Sequence, residues 1–278
     1  MRAFLAAIVL LGSITAGPIA EGQEAPLRIG VQNERPPFSF TDVQGELQGF
    51  DVAIARELCA TMQTQCEVVP LDFPALIPGL RNGSIDAAVA SISITDERRE
   101  LVDFTERYYR ATARYVARPD TVQDTSVEQL AGKIVGVKRE TTHDRYLSST
   151  LADVVSIRRY GHSDEIFVDL ALGRLDLALG DDISLIEGFL KTELGTGFAF
   201  VDPPLDDPSW FGYGEGIAVR KGNDELLGQL RQALRTILAN GTHDEIRRQH
   251  FDYDIYGDAA PVRTTEGENH DDDAKGQW

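Results

Sequence analysis

Four short segments of this chain gather side chains able to hold a charged small molecule. Gln32 to Arg35 brings an amide and a guanidinium. Ser91 to Arg98 brings hydroxyls and a second guanidinium, Lys138 to His143 an ammonium, two threonine hydroxyls and an imidazole, and Asp181 a carboxylate. Such groups form ion pairs and charge-assisted hydrogen bonds. The chain has no G-x-S-x-G elbow, no H-E-x-x-H pair and no phosphate-binding glycine loop, and its five histidines are scattered at spacings unsuited to a metal. Taken singly, each residue is ordinary, because an Arg in a first helical turn or an Asp after a strand usually serves as a surface charge or a cap. Their positions in a repeat make them stand out.

The repeat has two parts. Ile29-Gly30-Val31-Gln32 returns as Val135-Gly136-Val137-Lys138, and Gly83-Ser84-Ile85-Asp86-Ala87-Ala88-Val89-Ala90-Ser91 returns as Gly173-Arg174-Leu175-Asp176-Leu177-Ala178-Leu179-Gly180-Asp181. Each copy reads as an apolar strand, a helical stretch, and a glycine turn into another apolar strand, the rhythm of a parallel α/β unit. Two similar α/β lobes are therefore expected. In open α/β sheets ligands sit outside the carboxyl ends of the strands. All four segments above lie at such ends, so facing lobes would bring them into one cleft.

The elements that must position these residues follow from periodicity and turn signals. In the first half, strands are expected over 27–31, 67–71 and 85–90 and helices over 51–62 and 74–81, with another helix starting at Ser93 or Thr95. Ile54, Leu58 and Met62 share one face of the 51–62 helix. Strands over 134–137, 154–157 and 175–179 and helices over 144–151, 164–172 and 183–191 form the second lobe. The prolines between Val201 and Pro208 should interrupt any ladder and mark a crossing. Beyond them come a strand over 216–219 and helices over 224–239 and 243–251, the latter with a capping-box pattern in Thr242 and Glu245. These late helices have no counterpart in the repeat, so the chain is expected to return to the first lobe. That assigns 26–111 and 206–257 to lobe one and 112–205 to lobe two, with a hinge formed by crossings near 110–114 and 202–206.

With 278 residues, 42% of them hydrophobic, the chain can bury one or two ordinary cores. Met1-Arg2 and the apolar run Ala3 to Ala16 have the form of a secretory signal, expected over 1–22. The run is too short and too broken by Gly12, Ser13 and Gly17 for a membrane span. The expected location is the periplasm. Export favours a structural Cys59–Cys66 disulfide over metal or redox chemistry. The net charge of −18 argues against nucleic acid as a partner. Part of that charge sits in 258–278, which reads as a disordered acidic tail.

Several runs, taken in order, resemble one family: Gly49-Phe50-Asp51, Glu57-Leu58-Cys59 with Cys66, Ala75-Leu76-Ile77-Pro78, Ser93-Ile94-Thr95-Asp96-Glu97-Arg98, Glu187-Gly188-Phe189-Leu190-Lys191 and Phe251-Asp252-Tyr253-Asp254-Ile255-Tyr256-Gly257. The chain is similar over about 26–257 to the extracellular solute-binding proteins of polar amino-acid transporters, in particular the lysine/arginine/ornithine, histidine and opine binding group. The resemblance implies an α/β, two-lobed periplasmic binding protein fold of type II with a hinged ligand cleft. It also implies a monomer without cofactor or metal that hands an amino-acid ligand to an inner-membrane ABC permease.

By the same resemblance Arg98 grips the ligand α-carboxylate and Asp181 receives its α-ammonium. Ser91, Ser93 and Thr142 complete those bonds, Phe73 walls the side-chain pocket, and Ala90 and Thr141 belong to the ligand-facing set. The pocket departs from the cationic-ligand pattern. Gln32 stands where an acidic residue is usual, Arg35 where an aromatic stacks, and Lys138 where the contact is apolar; Ala90 and Lys138 resemble the glutamine-binding branch instead. Two added cations would repel a cationic ligand in a dehydrated cleft. A polar or acidic ligand such as glutamine, glutamate or an opine-like conjugate is expected, with Glu34 and Glu140 near enough to neutralise Arg35 and Lys138. A cationic amino acid is the alternative. A periplasmic cyclohexadienyl or arogenate dehydratase is the competing class, with Glu140 or His143 as a cleft acid, but an intact Asp181 favours an amino acid over a deaminated acid.

Overall fold

A computed structural model describes residues 25–257, so the expected leader and acidic tail lie outside the described residues. The first stretch runs β1 (Leu27–Gln32), a hairpin of β2 (Phe40–Thr41) and β3 (Leu47–Gln48), α1 (Phe50–Thr61), β4 (Cys66–Leu71), α2 (Phe73–Asn82), β5 (Ala87–Ser93), α3 (Asp96–Arg99) and β6 (Val102–Tyr109). The second runs β7 (Ala113–Ala117), α4 (Val127–Leu130), β8 (Ile134–Lys138), α5 (Thr142–Thr150), β9 (Ser156–Tyr160), α6 (Ser163–Ala171), β10 (Leu177–Asp181), α7 (Asp182–Leu185) and β11 (Ala199–Leu205). The chain closes with α8 (Pro208–Phe211), β12 (Glu215–Arg220), α9 (Asp224–Ala239) and α10 (Thr242–His250).

Two mixed five-stranded sheets result, in the orders β4-β1-β5-β12-β6 and β9-β8-β10-β7-β11. The repeated strands take equivalent places: β1 lies parallel between β4 and β5, and β8 lies parallel between β9 and β10. An antiparallel strand follows in each sheet, β12 beside β5 and β7 beside β10. The repeat has a packing reason. A Cβ on Gly30 would meet Ile85 Cδ1 at 2.5 Å, and one on Gly136 would meet Leu175 Cδ1 at 2.4 Å. The neighbouring aspartates then clamp the strand starts. Arg28 donates its N–H to Asp86 at 2.9 Å, and Ile134 donates its N–H to Asp176 at 2.7 Å.

Alternation along β5 distributes the core to both faces of the first sheet. Ala87 and Val89 join Ile54 and Leu58 of α1 and Leu230, Leu234 and Ile237 of α9, whereas Ala88 and Ala90 join Leu76 and Leu80 of α2. The late helices thus pack on the sheet that contains β1. A Cys59–Cys66 disulfide ties the end of α1 to the start of β4.

Several expectations need correction. The strand expected to stop at Ala90 continues to Ser93, so Ser91 and Ser93 lie within it, and the next helix starts only at Asp96, capped by Thr95. The segment from Val201 onward does join a ladder as β11. It is an edge strand whose register slips between Val201 and Leu205, and there Pro203 and Pro204 owe no hydrogen bond to a partner. Thr242 is the first helical residue rather than the cap of α10. Gly241 caps it at φ 89°, and Asn240 Oδ1 accepts the Thr242 N–H at 3.0 Å. The helix expected over 183–191 is α7 followed by a π-helical turn, Ile186–Leu190.

Candidate functional site

The carboxyl ends of β1, β5, β8 and β10 converge on one cleft. Gln32, Arg35, Phe73, Ser91, Ser93 and Arg98 line it from the first sheet's side, and Lys138, Thr141, Thr142, His143 and Asp181 from the second's. Ala90 does not line it, because its side chain is buried with Leu76 and Leu80 on the α2 face of β5. Among the described residues no cluster of three or more His, Cys, Asp or Glu side chains could hold a metal.

Arg98 is positioned by α3. Its N–H meets Thr95 Oγ1 at 3.3 Å, Nη1 donates to Ser93 O at 3.0 Å, and the guanidinium lies 5.4 Å from the centre of the Phe73 ring. It forms no ion pair among the described residues. Burial, reinforced by Arg145, lowers its pKa to about 10. Lys138 ends β8 with Nζ 5.5 Å from the same ring, also without an ion pair, and burial followed by the charge of Arg35 lowers it to about 8. Phe73, at the start of α2, thus carries two cations over its ring.

Ser91 has φ 55° inside β5, a left-handed kink at the cleft wall. Its hydroxyl donates to Asp51 Oδ2 at 2.8 Å, Tyr108 Oη donates to Asp51 Oδ1 at 2.7 Å, and the Ser91 N–H donates to Tyr108 Oη at 2.9 Å. Only the lone pairs of the Ser91 hydroxyl remain for the cleft. Asp51 is fully buried, and that burial pushes its carboxyl up to about 7 despite Arg35 and these two hydroxyls. Thr141 caps α5: its hydroxyl donates to Lys138 O at 2.7 Å and accepts from Asp144 N at 3.3 Å. That leaves Thr142 and His143, in the first turn of α5, to face inward at the positive end of the helix. Burial pushes His143 down to about 4 against the pull of Asp181, and Arg35 and Arg98 push the same way.

Arg35 and Asp181 meet across the two sheets. Arg35 Nη2 lies 2.9 Å from Asp181 Oδ2 and 2.9 Å from Ser184 Oγ, while Asp181 Oδ1 accepts the Ser184 N–H at 2.8 Å. The guanidinium carbon sits 4.2 Å above the Phe38 ring centre, and Nη1 reaches Tyr109 Oη at 3.3 Å. Burial works against both charges, but the pair holds: Asp181 keeps Arg35 raised, and Arg35 keeps Asp181 below the usual carboxylate range. Glu34 and Glu140 do not neutralise the two bases as expected. Both are exposed and lie outside the cleft, because each occupies a left-handed turn position that points outward, φ 49° and 61°.

Sequence reasoning missed Glu215, Tyr109 and Phe211, which also line the cleft. Glu215 is only 6% exposed, and one oxygen accepts the Ala111 N–H at 3.1 Å. Burial, with Asp181 adding to it, pushes its carboxyl well above the usual range. An acidic residue heading the apolar run Gly-Ile-Ala-Val was the available signal. Because β12 is antiparallel to β5, its start lies level with the carboxyl end of β5. At the mouth, Arg145 of α5 pairs with Glu97 of α3 and donates to Trp210 O of α8 at 2.9 Å.

The cleft therefore presents cations from both sheets, one cross-sheet ion pair, hydroxyls and an aromatic wall, an arrangement suited to holding a small anionic or zwitterionic molecule. The chain is 42% identical over 254 residues to the L-arginine-binding protein of Pseudomonas aeruginosa, covering 90% of this chain and 98% of the relative. It is 36% identical over 258 residues to the lysine/arginine/ornithine-binding periplasmic protein of Escherichia coli, covering 92% and 99%. A solved structure of an ancestral arginine-binding protein bound to arginine matches with a TM-score of 0.74 at 33% identity, over 82% of this chain and 99% of that one. The model of the bacterial extracellular solute-binding proteins, family 3, matches residues 27–253, and with two sheets facing across such a cleft the chain belongs to that family.

Proposed function

We propose that the protein captures an amino acid with a polar or acidic side chain between its lobes and delivers it, in the periplasm, to the permease of an ABC transporter. The lobes are 26–111 with 206–257, and 112–205, and they hinge at the two crossings. The observation that carries the reading is the opposition of Arg98, a half-buried guanidinium without an ion pair among the described residues, and Asp181 across one cleft. Arg98 takes the α-carboxylate, Asp181 marks the α-ammonium subsite, and Ser91, Ser93 and Thr142 complete the hydrogen bonds. Phe73 is the wall of the side-chain pocket, with Gln32, Arg35 and Lys138 around it.

The relatives' names speak of arginine and lysine, but this pocket holds cations of its own. In a molecule of net charge −18, Arg98 and Lys138 line one cleft without an ion pair among the described residues while Arg35 already occupies Asp181, and a ligand cation placed beside them would meet like charge. A ligand oxygen is better received there. Those relatives are binding proteins, which supports capture rather than turnover. A thermal-shift screen across amino acids and opines, followed by calorimetry, tests the reading. Glutamine, glutamate or an opine should bind more tightly than arginine or lysine, and Arg98→Ala should weaken that binding by about 2–5 kcal/mol, the cost of removing one partner of a buried charged contact. Tighter binding of arginine, or undiminished affinity in Arg98→Ala, overturns it.

A further inference from the structure

The Arg35–Asp181 pair bears directly on which ligands the cleft accepts, given the reading of Arg98 and Asp181 above. An ammonium subsite ordinarily presents a carboxylate that stays unpaired until the ligand supplies its amine. A site built this way rejects an analogue lacking the polar group by about 10⁴, because the buried partner is then left without a bond. Here both oxygens of Asp181 already have partners, Oδ1 in the Ser184 N–H and Oδ2 in Arg35. Arg35 is no loose surface cation. Its side chain is 12% exposed, it rests on Phe38, and it reaches Tyr109 and Ser184. Its backbone is fixed by paired hydrogen bonds with Ser39, N to O at 2.6 Å and O to N at 2.9 Å.

We propose that Arg35 serves as an internal counter-ion standing in for a ligand ammonium on Asp181, so that the cleft also binds dicarboxylic acids that carry no amine. With Arg35 in place, removing the amine from a ligand still leaves each Asp181 oxygen with a partner. The two cleft cations that have no ion pair among the described residues, Arg98 and Lys138, lie 5.4 and 5.5 Å from the centre of the Phe73 ring and then take the two ends of a dicarboxylate. The other cleft carboxyl, Glu215, spends one oxygen on the Ala111 N–H at 3.1 Å, and burial raises its pKa well above the usual range. Selection falls on ligand carboxylates rather than on the amine. Arg35 is thereby a specificity-determining residue.

The test pairs each amino acid with its deaminated counterpart, glutamate with glutarate and glutamine with glutaramate, by calorimetry on the mature protein and on Arg35→Ala, Arg35→Gln and Arg35→Lys. In the unmodified protein the deaminated partner should bind within about tenfold of the amino acid. Arg35→Ala and Arg35→Gln should each raise the dissociation-constant ratio of deaminated to amino ligand at least tenfold, and Arg35→Lys should restore most of it. A ratio above about a hundred in the unmodified protein, or one unmoved by all three substitutions, overturns the inference while leaving amino-acid capture intact. Failure of every amino acid and opine to bind any of the four proteins overturns the functional reading itself, and this inference with it.

Discussion

In the proposed site, Lys138 is the residue whose contribution to binding burial would tune most directly. Its ammonium sits over Phe73 without an ion pair among the described residues, and burial together with Arg35 brings its pKa down to about 8 against the pull of Asp181, Asp72 and Asp164. An anionic ligand draws on this charge only while the proton remains. Raising the pH through about 8 should therefore weaken binding of glutamate or glutarate, and Lys138→Gln should bind more weakly at pH 6.5 yet lose little more by pH 9. Calorimetry at the two pH values decides it; a parallel fall in both proteins would assign the dependence to another group. The sequence made much of this site legible, because the repeat marks strand ends and strand ends mark the cleft. It could not show that Arg35 turns inward onto Asp181 while Glu34 turns out, since a local turn sets both directions. Nor could the repeat point to Glu215, which enters on an antiparallel strand outside it.

At the scale of elements, strands with a glycine or a continuous apolar run were legible and those defined by long-range pairing were not. β6, with Asp, Thr, Glu and Arg among its aromatics, and β7 owe their place to neighbours from elsewhere in the chain. The kink at Ser91 belongs to this scale, because it joins β5 to α1 and β6 through the buried Asp51, Tyr108 and Ser91 contacts. Asp51 has a folded-state pKa of about 7 against an ordinary 3.8. A raised acid contributes its stability fully below the unfolded pKa and loses it as pH climbs through the folded one, so Asp51 should cost stability between about pH 4 and 7. Asp51→Asn keeps an acceptor for Tyr108 and cannot ionise. Relative to the unmodified protein it should gain about 1–3 kcal/mol between pH 5 and pH 8 in denaturant titrations, at about 1.4 kcal/mol per pKa unit. The depressed pKa of His143 acts in the opposite direction but is common to both proteins, so it cancels in the difference. No change in the difference with pH would place the proton elsewhere.

For the whole molecule the same cross-sheet contacts govern shape. The chain passes between the sheets twice, from β6 to β7 and from β11 to β12, and closure must be decided by what lies between the facing ends of the strands. Arg35 with Asp181 and Ser184, and Arg145 with Glu97 and Trp210, connect the two sides directly. A ligand adds contacts on both sides and can shift the population toward closure only by its differential affinity for the closed form. If Arg35 bridges the lobes by itself, part of the population is closed before any ligand arrives, and the ligand's further effect on shape is reduced. Small-angle scattering separates these contributions. The unmodified protein should compact on saturation with its tightest ligand, and Arg35→Ala should show a larger radius of gyration than the unmodified protein before ligand and a larger contraction after it. Equal radii in the two proteins before ligand would deny Arg35 a part in closure, and an absence of contraction in both would remove lobe closure from the mechanism altogether.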